Sequence, residues 1–366
     1  MKILITGGAG FIGSHSADAL LKLGHKVRIL DNLEPPVHTG QWPKYVLGKG
    51  FELMRGDVRE KRAWERALKG VSAVYHLAAY QDQRPDFSKF FETNTVSTAL
   101  LYEVSVAKRL PIKKVILASS QFVYGDGEYR CRHNGKSFYP ELRTLENFRK
   151  KQFDIVCSHG TPARFIPFRE DHKVPPTNSY GLSKFALVEL AMRLGKTYGI
   201  PTTAFRYSIV QGPRQSPKNL YSGALRIFVG QALAGVPITV YEDGKETRDF
   251  VSIKDVVAAN LFALRSRKTD FEIFNVGGGK AHKVLDFART VQRITGSHSM
   301  VKIGAFRRTD TRHAVSDISK LKRLGWRPRF APEDSVRNYV RWFRKGGFEE
   351  ILNRTALRKL KAGVEK

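Results

Sequence analysis

Residues 5–15 read ITGGAGFIGSH, and the reading of this stretch decides the fold. The apolar run KILIT (2–6) leads into it, and SHSADALLKLG (14–24) follows with helical periodicity. Gly7, Gly10 and Gly13 therefore stand at a G-x-x-G-x-x-G spacing between a strand and a helix. Gly7 permits a tight turn, Gly10 lets backbone approach a pyrophosphate, and Gly13 lets the helix pack closely on the strand. The N–H groups and dipole of that helix then face the phosphates.

Working outward, KVRILD (26–31), AVYHLAA (73–79), KVILASS (114–120), TTAFRYS (202–208) and FEIFNVGGG (271–279) read as further buried strands. TNTVSTALLYEVSVAKRL (93–110) and SYGLSKFALVELAMRLGKTYG (179–199) read as helices between them. Strands alternating with helices predict an α/β fold, a doubly wound parallel sheet covered on both faces. Residues 126–178, rich in Pro, Arg, Lys and His, break the rhythm and read as an inserted lid. The expected organisation is a nucleotide-binding unit over 1–208 carrying that lid and a smaller α/β lobe mainly over 209–345. Segments near 247–278 return to the first unit, and 346–366 form a basic amphipathic tail.

Composition narrows the function classes. The 366 residues are 42% hydrophobic and 27% charged, as in a globular chain. No apolar run is long enough to span a bilayer, and MKILITGGAGFIG lacks the pattern of a signal peptide. Two cysteines make no disulfide framework, so a cytoplasmic protein is expected. The formal net charge is +29, and residues 276–366 hold +14 of it, with 22 Lys/Arg against 8 Asp/Glu. Such a surface attracts polyanions. It reads as a solvated basic face rather than a nucleic-acid site, and no membrane partner is expected.

The second strand ends at Asp31, where a carboxylate accepts hydrogen bonds from both ribose hydroxyls of a dinucleotide and repels a 2′-phosphate. NAD is thus expected over NADP. Asp57 in RGDVRE follows another short strand, placed either to reach the adenine or to cap a helix. SYGLSK sets Tyr180 and Lys184 one helical turn apart on one face. A neighbouring ammonium and an oxidised nicotinamide lower a phenol's pKa from about 10, which makes tyrosinate a usable base. ASSQFVYG (118–125) brings Ser119 and Ser120 to the end of a strand, where a hydroxyl can hold the substrate oxygen.

From TGGAGFIGSH, LDNL, GDVR, HLAA, ASSQFVYG, SYGLSK, GPRQ, RDFVSIKDVV, FNVGGG and RTDTRH followed by DISKLKRLGWRP, the chain resembles the extended short-chain dehydrogenase/reductases. It is most similar to their NAD-dependent nucleotide-sugar epimerases and dehydratases, over residues 1 to roughly 340. The resemblance implies a Rossmann-type fold, tightly bound NAD and catalytic roles for Ser120, Tyr180 and Lys184. It implies cofactor contacts from Phe11, Ile12, Asn32, Val58, Leu77, Ala78, Ala79 and Asn94 beside the residues above. Substrate contacts fall to Ser120, Gln121, Arg84 and Arg214, with Arg248 and Arg312 on a diphosphate; surface or capping roles are the alternatives for Arg84 and Asn94, and a surface salt bridge is the alternative for either Arg248 or Arg312 taken alone.

The implied substrate is a UDP- or dTDP-linked sugar, and the implied assembly a homodimer paired through helices 93–110 and 179–199. In the implied mechanism Tyr180 takes a proton from the 4-hydroxyl while hydride leaves, the 4-keto sugar turns over, and hydride returns to the opposite face. Gln121 and Phe122 stand where 4,6-dehydratases place an Asp–Glu pair, which sets dehydratase, reductase or decarboxylase chemistry behind epimerisation. Ile209 and Gln211 replace the family's more usual RYFNVYGP pattern. A non-catalytic dinucleotide-sensing or RNA-binding relative is the alternative of another class.

One motif stays outside this scheme. Cys131 and Cys157 are the chain's only cysteines, and each has a histidine two places on, His133 and His159. Four such groups are the number a structural zinc needs. A single intervening residue on an extended chain, however, sets two side chains about 7 Å apart. A metal-free lid with buried thiols is expected, with zinc and a Cys131–Cys157 disulfide as the alternatives.

Overall fold

The structure, a computed structural model, describes residues 1–346 except 83, 173–175, 219–222 and 308–309. All but the first residue of the basic tail expected over 346–366 lies outside the described residues. The central sheet comprises β1 (Lys2–Thr6), β2 (Lys26–Asp31), β3 (Glu52–Arg55), β4 (Ala73–His76), β5 (Lys114–Ser120), β6 (Thr202–Tyr207) and β7 (Glu272–Val276). These seven strands run parallel in the order β7-β6-β5-β4-β1-β2-β3. The chain direction across the sheet reverses between β1 and β4, and in open α/β sheets the crevice at such a switch point is the ligand site.

Alternation along each strand sends neighbours to opposite faces. Ile3, Ile5, Val27, Ile29 and Tyr75 join one core with helix α1 (Phe11–Lys22) and helix Ile253–Arg265. Leu4, Leu30, Val74, Val115 and Leu117 join the other with α2 (Ser97–Ala107) and α3 (Ser179–Thr197). The expected single helix over 93–110 is not uniform. A turn at Phe87–Phe90 runs through a π-helical stretch, Phe91–Val96, before α2 begins. Asn94 explains the widened turn. Its side-chain amide is drawn back to the Tyr80 N–H (2.9 Å) and carbonyl (3.1 Å) and to the Ser183 hydroxyl (2.9 Å).

A smaller lobe gathers helices Ala224–Leu233, Val284–Thr295 and Pro332–Lys345 around a core of Leu225, Val229, Phe250, Phe287 and Tyr339. The paired strands Ile238–Tyr241 and Val301–Ala305 lie in this lobe. The segment from 126 to 172 lies outside the central sheet. It holds a three-stranded antiparallel sheet, with Tyr129–Arg130 between Ser137–Phe138 and Arg164–Phe165, and a short helix, Leu145–Arg149, closed by a Thr144/Asn147 capping box.

Candidate functional site

The C-terminal ends of β1, β2, β4, β5 and β6 open into a cleft of about 420 Å³ whose walls include Gly7, Gly10, Asp31, Ala78, Ser120 and Tyr180. Two glycines let its floor close. Gly7 has φ +64°, and a Cβ there would lie 2.8 Å from the Ala78 backbone; a Cβ on Gly13 would lie 2.2 Å from the Gly7 carbonyl oxygen. At Gly10 only that same oxygen lies near, at 3.2 Å, and the rest of its surroundings is the open cleft. Gly10 caps α1 without a side chain, and no acidic residue stands in the first turn. The partial positive charge of that helix end is left for a ligand.

Asp31 is the last residue of β2. Its Oδ2 accepts the Ala9 N–H at 3.0 Å and its Oδ1 the Leu33 N–H at 2.9 Å, and it lines the cleft. Burial pushes its carboxyl up; the Leu33 N–H and nearby His38 pull against that. A diphosphate at α1 and a ribose diol at Asp31 are thus both provided for, and a dinucleotide fits these residues.

At the far end of the cleft, Ser120 closes β5, and its Oγ accepts the Phe122 N–H at 3.2 Å. Tyr180 lies on the first turn of α3, whose N-cap Asn178 accepts the Gly181 N–H at 2.8 Å. The Ser120 hydroxyl is the hydrogen-bonding neighbour of the Tyr180 phenol, which burial pushes up to about 12. One turn on, the Lys184 ammonium donates to the Ala118 carbonyl at 2.8 Å and lies 5.9 Å from the Tyr180 ring centre. Burial draws Lys184 down to about 7. Burying either charge alone is costly, and each offsets the other.

Phe11, Ile12, Asn32, Val58, Leu77, Ala79 and Gln121 also line the cleft, with the Gln121 Oε1 buried and unpaired. Other expected residues lie elsewhere. Asp57 is not a helix cap: its carboxylate is held by Arg59 (2.7 Å) and Asn32 (3.0 Å), which together draw it down to about 2 against the upward push of burial, and only its neighbours Gly56 and Val58 reach the cleft. Asn94 is absorbed in the π-turn described above, and its neighbour Thr93 lines the wall instead.

The four arginines expected to touch substrate each have partners within the protein. Arg84 is exposed and paired with Asp82 (2.7 Å) and Asp86 (3.8 Å). Arg214 pairs with Asp18 on α1 at 2.7 Å and lies over the Tyr45 ring. Arg248 donates to the carbonyls of Thr247 and Arg312. Arg312 is 1% exposed, its guanidinium ringed by Asp154 (2.7 Å), Asp243 (2.7 Å), Glu242 (2.8 Å) and Glu246 (3.9 Å). Four carboxylates thus surround that one guanidinium. Arg226, which sequence reading missed, does line the cleft; it is buried on helix Ala224–Leu233, and burial lowers it to about 10. Gln215 and Ser216 beside it were also missed, although GPRQ had marked their segment. Nothing local distinguishes Arg226 from a surface arginine.

A serine, a tyrosine and a lysine meeting in one cleft with a glycine-rich strand–helix turn are the arrangement of a short-chain dehydrogenase/reductase. The sequence matches the model of the NAD dependent epimerase/dehydratase family over residues 3–277. The chain belongs to that family, and its cofactor is NAD. It is 32% identical over 348 residues to a dTDP-L-rhamnose 4-epimerase of Burkholderia thailandensis, covering 93% of this chain and 94% of that protein. It is 29% identical over 357 residues to a UDP-N-acetyl-alpha-D-glucosaminuronate decarboxylase of Bacillus cytotoxicus, covering 94% and 98%. Its fold is similar to that of the UDP-glucose 4-epimerase of Thermotoga maritima solved with UDP-glucose, with a TM-score of 0.76, 28% identity and coverage of 94% and 99%.

Proposed function

We propose that this chain is an NAD-dependent epimerase of a nucleotide-diphosphate sugar, inverting the sugar 4-position through a transient 4-keto intermediate. The convergence of Ser120, Tyr180 and Lys184 at the end of the cleft carries this reading. NAD, when bound, supplies the acceptor for the hydride and gives it back. Ser120 and Tyr180 hold the reacting hydroxyl between them; Tyr180 takes its proton and later returns it, while the Lys184 charge supports the phenolate. Gln121 and Phe122 follow Ser120 in place of two carboxylates, which withholds the acid–base pair that elimination of water needs.

UDP- or dTDP-linked sugars are the substrates to expect, from the activities of the relatives. Incubating the protein with UDP-, dTDP-, GDP- and CDP-sugars and separating the products should give a C4 epimer and no net change in NAD. Release of carbon dioxide from a uronic-acid nucleotide, with no epimer formed, would replace epimerase by decarboxylase.

A cytoplasmic homodimer completes the proposal. Among the described residues no helix is long and apolar enough to cross a membrane. The adjoining helical segments leave Val96 (47%), Leu182 (44%) and Phe185 (37%) exposed, an apolar face suited to a second copy of the same pair. Light scattering should report twice the chain mass, and a monomer at assay concentrations would exclude that pairing.

A further inference from the structure

The catalytic scheme makes no use of the cysteine–histidine motif, yet the fold brings its members together from positions 26 residues apart. Strand Tyr129–Arg130 runs into a tight turn in which the Cys131 carbonyl accepts the Gly135 N–H at 3.0 Å and the Cys131 N–H donates to the Lys136 carbonyl at 2.9 Å. The second turn repeats the plan: the Cys157 carbonyl accepts the Gly160 N–H at 2.9 Å and the Cys157 N–H donates to the Thr161 carbonyl at 2.9 Å. Gly135 (φ +72°) and Gly160 (φ +69°) supply the left-handed residue that each turn requires. The backbone bends at both knuckles, so the spacing of an extended chain does not apply.

The two sulfurs lie 2.8 Å apart. His159 directs its Nδ1 at both, 3.6 Å from Cys131 Sγ and 3.9 Å from Cys157 Sγ. The His133 ring stacks on His159 with centres 4.4 Å apart. Both cysteines are buried, at 4% and 6% exposure, whereas His159 is exposed and leaves a path from solvent.

A tetrahedral ion bound at about 2.3 Å to sulfur and about 2.0 Å to nitrogen sets sulfur and nitrogen about 3.5 Å apart, close to what is seen. The same ion sets two sulfurs about 3.8 Å apart, so they must part by about 1 Å. A disulfide needs about 2.0 Å and hence a smaller movement, but it gives no role to an imidazole facing both thiols. The histidine decides between them. Two thiolates and an imidazole suit a borderline-soft divalent cation and not magnesium or calcium.

We propose that Cys131, Cys157 and His159 bind one zinc-class divalent cation, with His133 completing a tetrahedral set. The ion pins together the two turns that bracket residues 132–156. That stretch carries Arg143, paired with Glu242 at 2.7 Å, and Asp154, paired with Arg312, so the clasp fixes the base of an arm that grips the smaller lobe.

The test is metal analysis of the full-length protein, purified without chelator and then dialysed against zinc. About one zinc per chain is expected, falling to background in Cys131→Ser and Cys157→Ser. The cobalt-loaded protein should show thiolate-to-metal charge transfer and the intense visible absorption of a tetrahedral site. None of the four residues lines the cleft, so NAD binding should survive in both serine variants and certify that they are folded. His133→Ala should lose zinc to a chelator at least tenfold faster; unchanged loss would remove His133 from the set. Background zinc after loading, with both thiols reacting at once with a thiol reagent, would overturn the site. So would a Cys131–Cys157 disulfide found by mass spectrometry in the freshly purified protein.

Discussion

Replacing Tyr180 by Phe should abolish epimerisation, lowering kcat by about 10³-fold or more, while the protein keeps its fold and its NAD. The size follows from removing the group that moves the proton, since a positioned general base contributes about 10²–10⁴-fold. The fold survives because the ring stays in place, edge-on to Phe90 and Phe122, and only the contact with Ser120 is lost. A phenol that burial alone holds up at about 12 is useless as a base near neutrality, so the Lys184 charge is part of the same device. The sign for Lys184→Met follows. Without the ammonium the phenol ionises less readily, and whatever activity remains should begin at higher pH than in the wild type. Product analysis over a pH series checks both variants, and undiminished turnover by Tyr180→Phe would refute the assignment.

Arg312→Met should cost about 3–5 kcal/mol of stability, the usual penalty for stripping one partner from a buried ion cluster. Asp154, Glu242, Asp243 and Glu246 converge on that one guanidinium, and Arg143 supports Glu242 from the other side. Burial pushes the Asp243 carboxyl up, but Arg312 more than reverses this, so its folded pKa lies below its unfolded one. Asp243 therefore stabilises the wild type at neutral pH and stops doing so as pH falls through its folded value. In the variant that support is gone and the carboxylates repel one another. The deficit should be largest at neutral pH and shrink on acidification, as the carboxyls take up protons. Thermal or urea melts at pH 7 and pH 4 measure it. If Arg312 served only a substrate diphosphate, KM would change and the melts would not.

The two variants mark where sequence reading reached and where it stopped. β1, β2 and β5 begin and end where the runs KILIT, KVRILD and KVILASS do, because each is a short apolar segment bounded by glycine or charge and buried on both sides. The glycine turn, Asp31, Ser120, Tyr180 and Lys184 were legible because each sits at a strand end or in a short spacing pattern, although the bond that holds Lys184 to Ala118 spans 66 residues. The fate of the arginines was not. Arg312 is claimed by Asp154, 158 residues earlier, and Arg214 by Asp18, 196 residues earlier. A motif such as RTDTRH says nothing about which carboxylates will lie against it. Arg226 was missed for the converse reason, since it has no motif and gains its place only when the lobe folds over the cleft. The turns at Cys131 and Cys157 depend on Gly135 and Gly160, whose left-handed conformations bend a chain that an extended spacing would leave straight.

The two faces of the sheet also differ in when they can be covered as the chain is made. The face bearing Leu4, Val74 and Leu117 finds its helices by Met192, whereas the face bearing Ile5, Tyr75 and Ile116 has only α1 until residues 253–326 emerge. Tyr75 and Tyr207 both direct their hydroxyls to Asn260, at 3.0 and 2.6 Å, and wait for that residue. At about 5–20 residues per second the roughly 60 residues from Tyr207 to Arg265 take on the order of 3–12 s to synthesise. For that interval the nascent protein carries a nearly complete parallel sheet with one apolar side bare. It is in this window, before the active site has its far wall, that the chain is most exposed to aggregation and most in need of a chaperone.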